Sequence, residues 1–252
     1  MLHYNVNFEL KDKLQELKEW VKNQVGDCTV IIGISGGTDS TVVSKLLVDV
    51  LGKDKVIGVL MPNQYQHDID VAQNWVDKLG ITNYKIDIFN AYKAISNKLN
   101  EVIAEPTNFK YCLNDCYKTN TPSRLRMTVL YSIAAIYGNA RVVNTCNLSE
   151  DWVGYSTKFG DSAGDFSPLS QFTKSEVKEI GYLLGVPETL IIKTPEDGMS
   201  HLSDEEKLGF TYKVLDKYIR TGEIDDPAIK EKIDTLHKNN LHKILPMPSF
   251  AV

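Results

Sequence analysis

Apolar positions along this chain follow two periods that alternate. Leu10, Leu14, Leu17 and Val21 share one face of a helix predicted from Phe8 to Val25. The next apolar run, Val30, Ile31, Ile32 and Ile34, is short and nearly unbroken, the pattern of a parallel strand covered on both faces. It runs into Gly36-Gly37, and a helix opens at Ser40 or Thr41 and continues through Val42, Val43, Leu46 and Leu47. Lys55 to Pro62 reads as a second buried strand. From Asp68 to Leu79, Ile69, Ala72, Trp75, Val76 and Leu79 fall at helical spacing, and Gly80 closes the element. Tyr84 to Phe89 alternates like a strand nearer the sheet edge. Helices follow over Ala91 to Val102 and over Pro122 to Tyr137, the latter capped by Thr121 with proline in its first turn. Arg141 to Thr145 is a fourth strand.

Strand and helix therefore alternate through the first 150 positions. The fold class is α/β, a doubly wound parallel sheet wrapped by helices. Ligands in such folds bind beyond the carboxyl ends of the strands, where the glycine turn after the first strand and the Thr145 to Glu150 segment after the fourth both fall. Beyond Glu150 the periodicity fades. Asp151 to Gln171 offers no regular element, and a loop that long inside a compact domain is usually functional. Short helices are predicted over Lys174 to Leu184, Asp204 to Ile219 and Pro227 to His237, with a polar loop over Pro195 to Ser203 and an extended tail. Neither repeat nor linker interrupts the chain, and residues 1–252 are expected to form a single domain.

Composition narrows the class. The 252 residues are 42% hydrophobic and 24% charged, ordinary for a globular protein. Net charge is −5 and the pI near 5.6, which weighs against a nucleic-acid partner. No apolar stretch has the length of a membrane span, and the N-terminus lacks the pattern of a secretory signal, so the expected location is the cytoplasm, with no membrane partner. Four cysteines do not make a disulfide framework. Cys28, Cys112, Cys116 and Cys146 admit a thiolate metal site, but the paired spacing of zinc sites is absent and simple buried or loop thiols are the better reading.

The glycine turn carries the first chemical signal. Gly36 and Gly37 permit close approach of a ligand to the main chain, and a strand–turn–helix of this kind aims backbone N–H groups at an anion. It lacks the lysine of the G-x-x-x-x-G-K-[ST] loop and offers Asp39 instead. An aspartate in a phosphate nest repels phosphate unless a cation bridges them, which points to Mg²⁺. Ser35-Gly36-Gly37-Thr38-Asp39-Ser40 resembles the pyrophosphate loop of ATP pyrophosphatases. Glu150, also after a strand end, is a second candidate carboxylate, alternatively a helix-cap or surface residue. Arg124 and Arg126 lie two apart on a helix and point about 200° apart, so one is expected at an anionic ligand and the other at a structural carboxylate. Lys158 and Lys174 flank the glycine-rich loop as candidate phosphate contacts, though lone lysines are usually solvated. His3, His67 and His201 belong to no visible constellation, and no nucleophile–base pair is recognisable.

Over nearly its whole length the chain resembles the ammonia-dependent NAD synthetases, in the order of that family's motifs. These are Ser35 to Ser40, Arg124-Leu125-Arg126-Met127, Asn144 to Glu150, Thr157-Lys158-Phe159-Gly160-Asp161 with Asp165, Lys174, Asp204-Glu205 with Leu208-Gly209 and Tyr212, and His242-Lys243. The resemblance implies an adenine nucleotide alpha hydrolase-like fold and a ligase that amidates deamido-NAD with ammonia. The nicotinate carboxylate is adenylated by ATP, pyrophosphate leaves, and ammonia then displaces AMP. It further implies ATP contacts at Gly33, Ile34, Ser35, Gly36, Gly37, Thr38, Asp39, Ser40, Thr145 and Lys174. Mg²⁺ would lie on Asp39 and Glu150, and deamido-NAD on Arg124, Lys158, Asp165, His242 and Lys243. Asp39, Glu150 and Lys174 form the catalytic set. A homodimer with the dinucleotide near the subunit interface is implied as well. Two positions depart from the pattern. Asn144 stands where the family has glycine, and Glu196 where it has an ATP-contacting threonine, a place Ser200 is able to fill. With one helix before the first strand there is no room for a glutaminase domain, so ammonia is expected free or from a separate glutaminase partner. Two rivals stand beside this reading. One is another pyrophosphate-loop enzyme, whether a tRNA-modifying ligase, a sulfur transferase or a purine-amidating subunit. The other is a non-catalytic nucleotide sensor, which would need no metal pair.

Overall fold

The computed structural model describes residues 10–66, 68–103, 114–192 and 203–250. Among them four parallel strands form one sheet in the order β3-β2-β1-β4. The strands are β1 (Thr29–Gly33), β2 (Val56–Leu60), β3 (Thr82–Lys85) and β4 (Ala140–Val142). Val30 pairs with Val56 and Arg141, and Ile57 with Thr82. The chain builds outward from β1 through β2 to β3, then returns to place β4 on the other side of β1. That reversal opens a crevice between the carboxyl ends of β1 and β4, where open α/β sheets bind ligands.

Helices α1 (Leu10–Val25), α2 (Thr38–Leu51) and α3 (Ile69–Leu79) alternate with the first strands. Helices α4 (Phe89–Ile103) and α5 (Asp115–Tyr137) precede β4. After it come α6 (Leu148–Val153), α7 (Lys174–Leu183), α8 (Glu188–Ile191), α9 (Asp204–Leu208), α10 (Tyr212–Thr221) and α11 (Pro227–Ile244). The alternation inside β1 sends Val30 and Ile32 into a core shared with Leu14, Leu46, Trp75 and Val177, and Ile31 into a second core with Met127, Leu130 and Val142. Both faces of the sheet are thus covered, as the unbroken apolar runs require. Each fully buried isoleucine contributes roughly 1.5–3 kcal/mol through the hydrophobic effect. A third cluster, with Leu148, Val153, Phe210, Leu215 and Ile233, joins α6, α10 and α11.

The structure departs from the sequence reading at several boundaries. Strand β3 lies at Thr82–Lys85 rather than Tyr84 to Phe89. Ile86 and Ile88 still donate to the Leu60 and Pro62 carbonyls at 2.8 and 2.9 Å, but β2 has ended and Asp87 turns to cap α4 by accepting from the Phe89 N–H. Helix α5 starts at Asp115, not at Thr121-Pro122. Asn114 supplies the cap at 2.9 Å from the Tyr117 nitrogen, and Pro122 sits inside the helix at a cost of about 3 kcal/mol. Packing of Tyr117 on Tyr92 and its bond to Ser96 help hold that first stretch against α4. The predicted helix from Asp204 to Ile219 is two helices, broken at Gly209, which takes φ +75° and stops α9. Helices α6 and α8 were not expected, and α11 runs on to Ile244. His3, His67, Cys112, Glu196, Ser200 and His201 lie outside the described residues, as does most of the Pro195 to Ser203 loop. No helix among the described residues is long and apolar enough to cross a membrane.

Candidate active site

The turn after β1 packs tightly against the start of α3. Gly36 takes φ +84°, and a Cβ there would meet the Asp68 carbonyl oxygen at 2.9 Å. Gly37 caps α2 without any side-chain hydrogen bond to the first helical N–H groups. An uncapped helix start of this kind favours an anion. Loop shape is kept by Ser35 and Ser40, whose hydroxyls lie 3.0 Å apart, by the Gly37 N–H donating to Ser35 Oγ, and by Gln66 donating to the Ser35 carbonyl at 2.9 Å. Gly33 ends β1, and the Ile34 N–H continues its pairing by donating to the Val59 carbonyl. Thr38 points elsewhere: its hydroxyl donates to the Leu190 carbonyl at 3.1 Å and ties α2 to α8. The helix begins two residues earlier than the sequence suggested, so Asp39 sits in its first turn, where an acidic side chain suits the helix dipole.

Across the crevice, β4 leads through Thr145 to α6. Asn147 caps α6 in a reciprocal box: its side-chain oxygen accepts from the Glu150 N–H at 3.0 Å, and the Glu150 carboxylate accepts from the Asn147 N–H at 3.5 Å. Thr173 and Glu176 make the same box at α7, so Lys174 is the first residue of that helix. The Lys174 N–H donates to Ser149 Oγ at 3.0 Å. Ser149 in turn donates to Asp216 of α10, which also accepts from the Ser175 N–H at 2.8 Å. This buried knot fixes α6 and α7 to each other.

The result is a compact charged centre. The Lys174 ammonium, on a residue only 3% exposed, donates to Asp39 Oδ2 and, at 3.2 Å, to Glu150 Oε1. The Asn147 Nδ2 donates to Asp39 Oδ1 at 3.1 Å. Burial pushes the Glu150 carboxyl up, Lys174 opposes this, and the neighbouring Asp39 adds to it. Burial alone would lower the Lys174 ammonium, but the two carboxylates reverse that and hold it protonated. Tyr212 lies beneath, its ring centroid 5.5 Å from the ammonium. Its buried hydroxyl finds no hydrogen-bond partner among the described residues.

Of the residues expected at the second substrate, Arg124 and Lys158 come together: Arg124 Nε donates to the Lys158 carbonyl at 3.2 Å, and the Lys158 ammonium sits 5.3 Å from the Phe159 ring centroid. Phe159 holds φ +64°, an unusual backbone for an aromatic residue. Arg126 does the separate job predicted for one of the two arginines, although its direct partner is the Met61 carbonyl at 3.0 Å rather than a carboxylate. Asp165 accepts from the Val142 N–H at 2.7 Å and from the Tyr131 hydroxyl at 3.1 Å. The Lys243 ammonium is taken up by the Gly154 and Ser156 carbonyls at 2.6 and 2.8 Å, while the neighbouring His242 is exposed. Asn144, the departure from glycine, donates to the Asp161 and Ala163 carbonyls and so binds the 157–165 loop to β4. Asn147, absent from the sequence-derived set, was marked by the N-x-x-E spacing of a capping box. Among the described residues no cluster of three or more His, Cys, Asp or Glu side chains could hold a metal, and Cys28 and Cys146 bond to Asn139 and the Asp161 carbonyl.

Comparison with known proteins identifies relatives over most of the chain. A family model described as NAD synthase matches residues 10–248. The NH(3)-dependent NAD(+) synthetase of Mesoplasma florum is 36% identical over 247 residues, covering 93% of this chain and 94% of that protein. An NMN synthetase from Francisella tularensis superposes with a TM-score of 0.85 at 31% identity, over 97% of this chain and 100% of that one. An NH3-dependent NAD synthetase from Campylobacter jejuni gives 0.73 at 26%, over 97% and 100%. Because the match runs from α1 past α11 and takes in both sides of the crevice, the chain belongs to the NAD synthase family.

Proposed function

We propose that this chain is a ligase that converts deamido-NAD to NAD with ATP and ammonia. The observation that carries the reading is the meeting of Asp39, Glu150 and Lys174 beside an uncapped helix start at the sheet's reversal point. A carboxylate is a poor electrophile, so amidation needs activation. The nicotinate carboxylate oxygen attacks the α-phosphorus, the bond to pyrophosphate breaks, and ammonia then attacks the acyl carbon and expels AMP. No protein nucleophile is required, and the chain's work is to orient, neutralise and exclude water.

In this reading the start of α2 and Ser35 to Ser40 receive the phosphates, with Thr145 and Lys174 at the nucleotide. The donor set suits a small hard cation: one oxygen from each carboxylate already reaches a single cationic centre, the Lys174 nitrogen, and Mg²⁺ is commonly held by one or two carboxylates plus phosphates. Mg²⁺ on Asp39 and Glu150 would neutralise the phosphates and stabilise the leaving pyrophosphate. Arg124 and Lys158 hold the acid substrate, with Asp165, His242 and Lys243 completing that side. A homodimer is part of the proposal, supported by the apolar side chains that α5 exposes, Ile136 at 82% and Tyr137 at 41%.

A second reading concerns the acid substrate alone. The similarity to an enzyme named for NMN favours testing nicotinate mononucleotide as well. Purified protein with ATP, Mg²⁺ and ammonium is given deamido-NAD or nicotinate mononucleotide, and pyrophosphate and amide products are followed. NAD formed from deamido-NAD in preference supports the first reading, and preferential NMN formation supports the second. Glutamine in place of ammonium reports whether a donor other than free ammonia serves. Absence of any amide product with either substrate overturns both.

A further inference from the structure

We infer that Asn147 is a positioning residue that sets both carboxylates of the charged centre toward one cation, an inference resting on the proposed roles of Asp39 and Glu150. Each carboxylate has one oxygen turned to Asn147 and the other to Lys174. Asp39 accepts from the Asn147 side-chain Nδ2 through Oδ1 and from Lys174 through Oδ2. Glu150 accepts from the Asn147 backbone N–H through Oε2 and from Lys174 through Oε1. Asn147 is fully buried, so these bonds do not compete with bulk water.

Capping α6 does not explain the asparagine. The cap needs only an acceptor for the Glu150 N–H, and aspartate or serine serves that purpose about as well. What asparagine adds is a simultaneous donor, and that donor reaches Asp39, 108 positions away. The amide can take only one orientation here, since a flipped amide would oppose the Glu150 N–H with its own N–H. Its donor and acceptor ends therefore tie the rotamer of Asp39 to the start of α6, where Glu150 lies in the first turn. When the cation between the carboxylates is exchanged, Asn147 keeps their free oxygens aimed at one point against their mutual repulsion. Outer-sphere bonds of this type commonly change metal affinity or activity by about 10–100-fold.

Asn147→Ser and Asn147→Asp separate the two roles, because both retain the cap. Serine loses the reach to Asp39, and aspartate sets a carboxylate against it. The test measures Mn²⁺ binding by electron paramagnetic resonance in the presence of a non-hydrolysable ATP analogue, beside thermal unfolding. Asp39→Asn defines the signal that belongs to this site. The expected result is about 10–100-fold weaker Mn²⁺ binding in Asn147→Ser; both variants unfold at lower temperature, Asn147→Asp the more so because it buries a third carboxylate beside Asp39 and Glu150. The Mg²⁺ concentration for half-maximal activity rises in Asn147→Ser. Unchanged Mn²⁺ affinity in folded Asn147→Ser overturns the inference, as does wild-type protein without an Asp39-dependent Mn²⁺ signal. The binding arm is independent of the amidation assay, so failure of the proposed activity and failure of this inference are read separately.

Discussion

Lys174 and Asp39, 135 positions apart in sequence, form a buried ion pair whose ammonium is shared with Glu150. The lysine is the cation that two facing carboxylates require. Removing it takes away the charge that opposes protonation of Glu150 and leaves Asp39 unpaired beside it, and loss of one partner from a buried pair costs about 3–5 kcal/mol. Lys174→Met is therefore expected to lower the unfolding temperature far more than Asp39→Asn, which leaves Lys174 paired with Glu150. Millimolar Mg²⁺ should recover part of the loss in Lys174→Met and much less in Asp39→Asn, because only the former keeps both carboxylates. Thermal unfolding with and without Mg²⁺ checks this, and equal Mg²⁺ responses would contradict a shared cation site.

Arg124 and Lys158 offer two cations on one side of the crevice, joined through the Lys158 carbonyl. If they hold the acid substrate, Arg124→Ala and Lys158→Ala each raise its KM by about 10–100-fold, as loss of a charge-assisted hydrogen bond does. The KM for ATP should change little. Steady-state kinetics with each substrate varied separately decides the matter, and a matching rise in the ATP KM would move these residues to the nucleotide.

Much of this arrangement was legible before the fold was known, and the reasons for the exceptions are local. Val30 to Ile34 announced β1 because a strand buried on both faces needs an unbroken apolar run. Asp39 and Glu150 both follow strand ends, which parallel topology brings to one edge, but only the family resemblance set Glu150 apart from a helix-cap residue, and it does lie in the capping box of α6. Asn147 was passed over although its spacing to Glu150 spells a capping box, because the segment was read for ligands and α6 is only six residues long. Pro122 misled the start of α5, since proline favours a first turn but tolerates the interior where tertiary packing outweighs its penalty. The assignment of Lys243 to substrate came from family resemblance alone, and its ammonium is occupied by two main-chain carbonyls that no spacing rule could reveal.

Tyr131 and Asp165 give a pH signature. Burial, together with the Asp165 charge and hydrogen bond, pushes the Tyr131 hydroxyl from 10.0 up to about 12. In the unfolded chain this phenol ionises near 10.0, so between those values the unfolded state releases a proton that the folded state retains. The contribution to stability is full below pH 10 and declines as pH rises through the folded value. Tyr131→Phe should flatten the alkaline fall of stability between about pH 10 and 12. Asp165→Asn should shift the tyrosine titration part of the way back, since burial, the largest cause, remains. Difference spectra at the tyrosinate band test both, and a wild-type titration identical to that of Tyr131→Phe would contradict the assignment.

Gly154 and Lys243 make the last prediction, that α11 holds the loop carrying Lys158. Gly154 ends α6 at φ +65°, and a Cβ there would lie 2.1 Å from the Asn240 Cβ, nearer than packed atoms approach. Asn240 also donates to the Val153 carbonyl at 3.1 Å, and Lys243 spans the Gly154 and Ser156 carbonyls. Gly154→Ala must therefore displace α11 as well as strain the backbone, and should cost more than about 2 kcal/mol. Lys243→Met removes only the clamp. Its fold should persist, while amides of residues 154–160 exchange faster with solvent and the KM for the acid substrate rises. Faster exchange arises from the lost tether whether or not Lys243 also touches substrate. A raised KM with unchanged exchange would instead assign Lys243 to direct contact, with the loop held by Asn144, Asn240, Ser123 and the Arg124 bond to the Lys158 carbonyl.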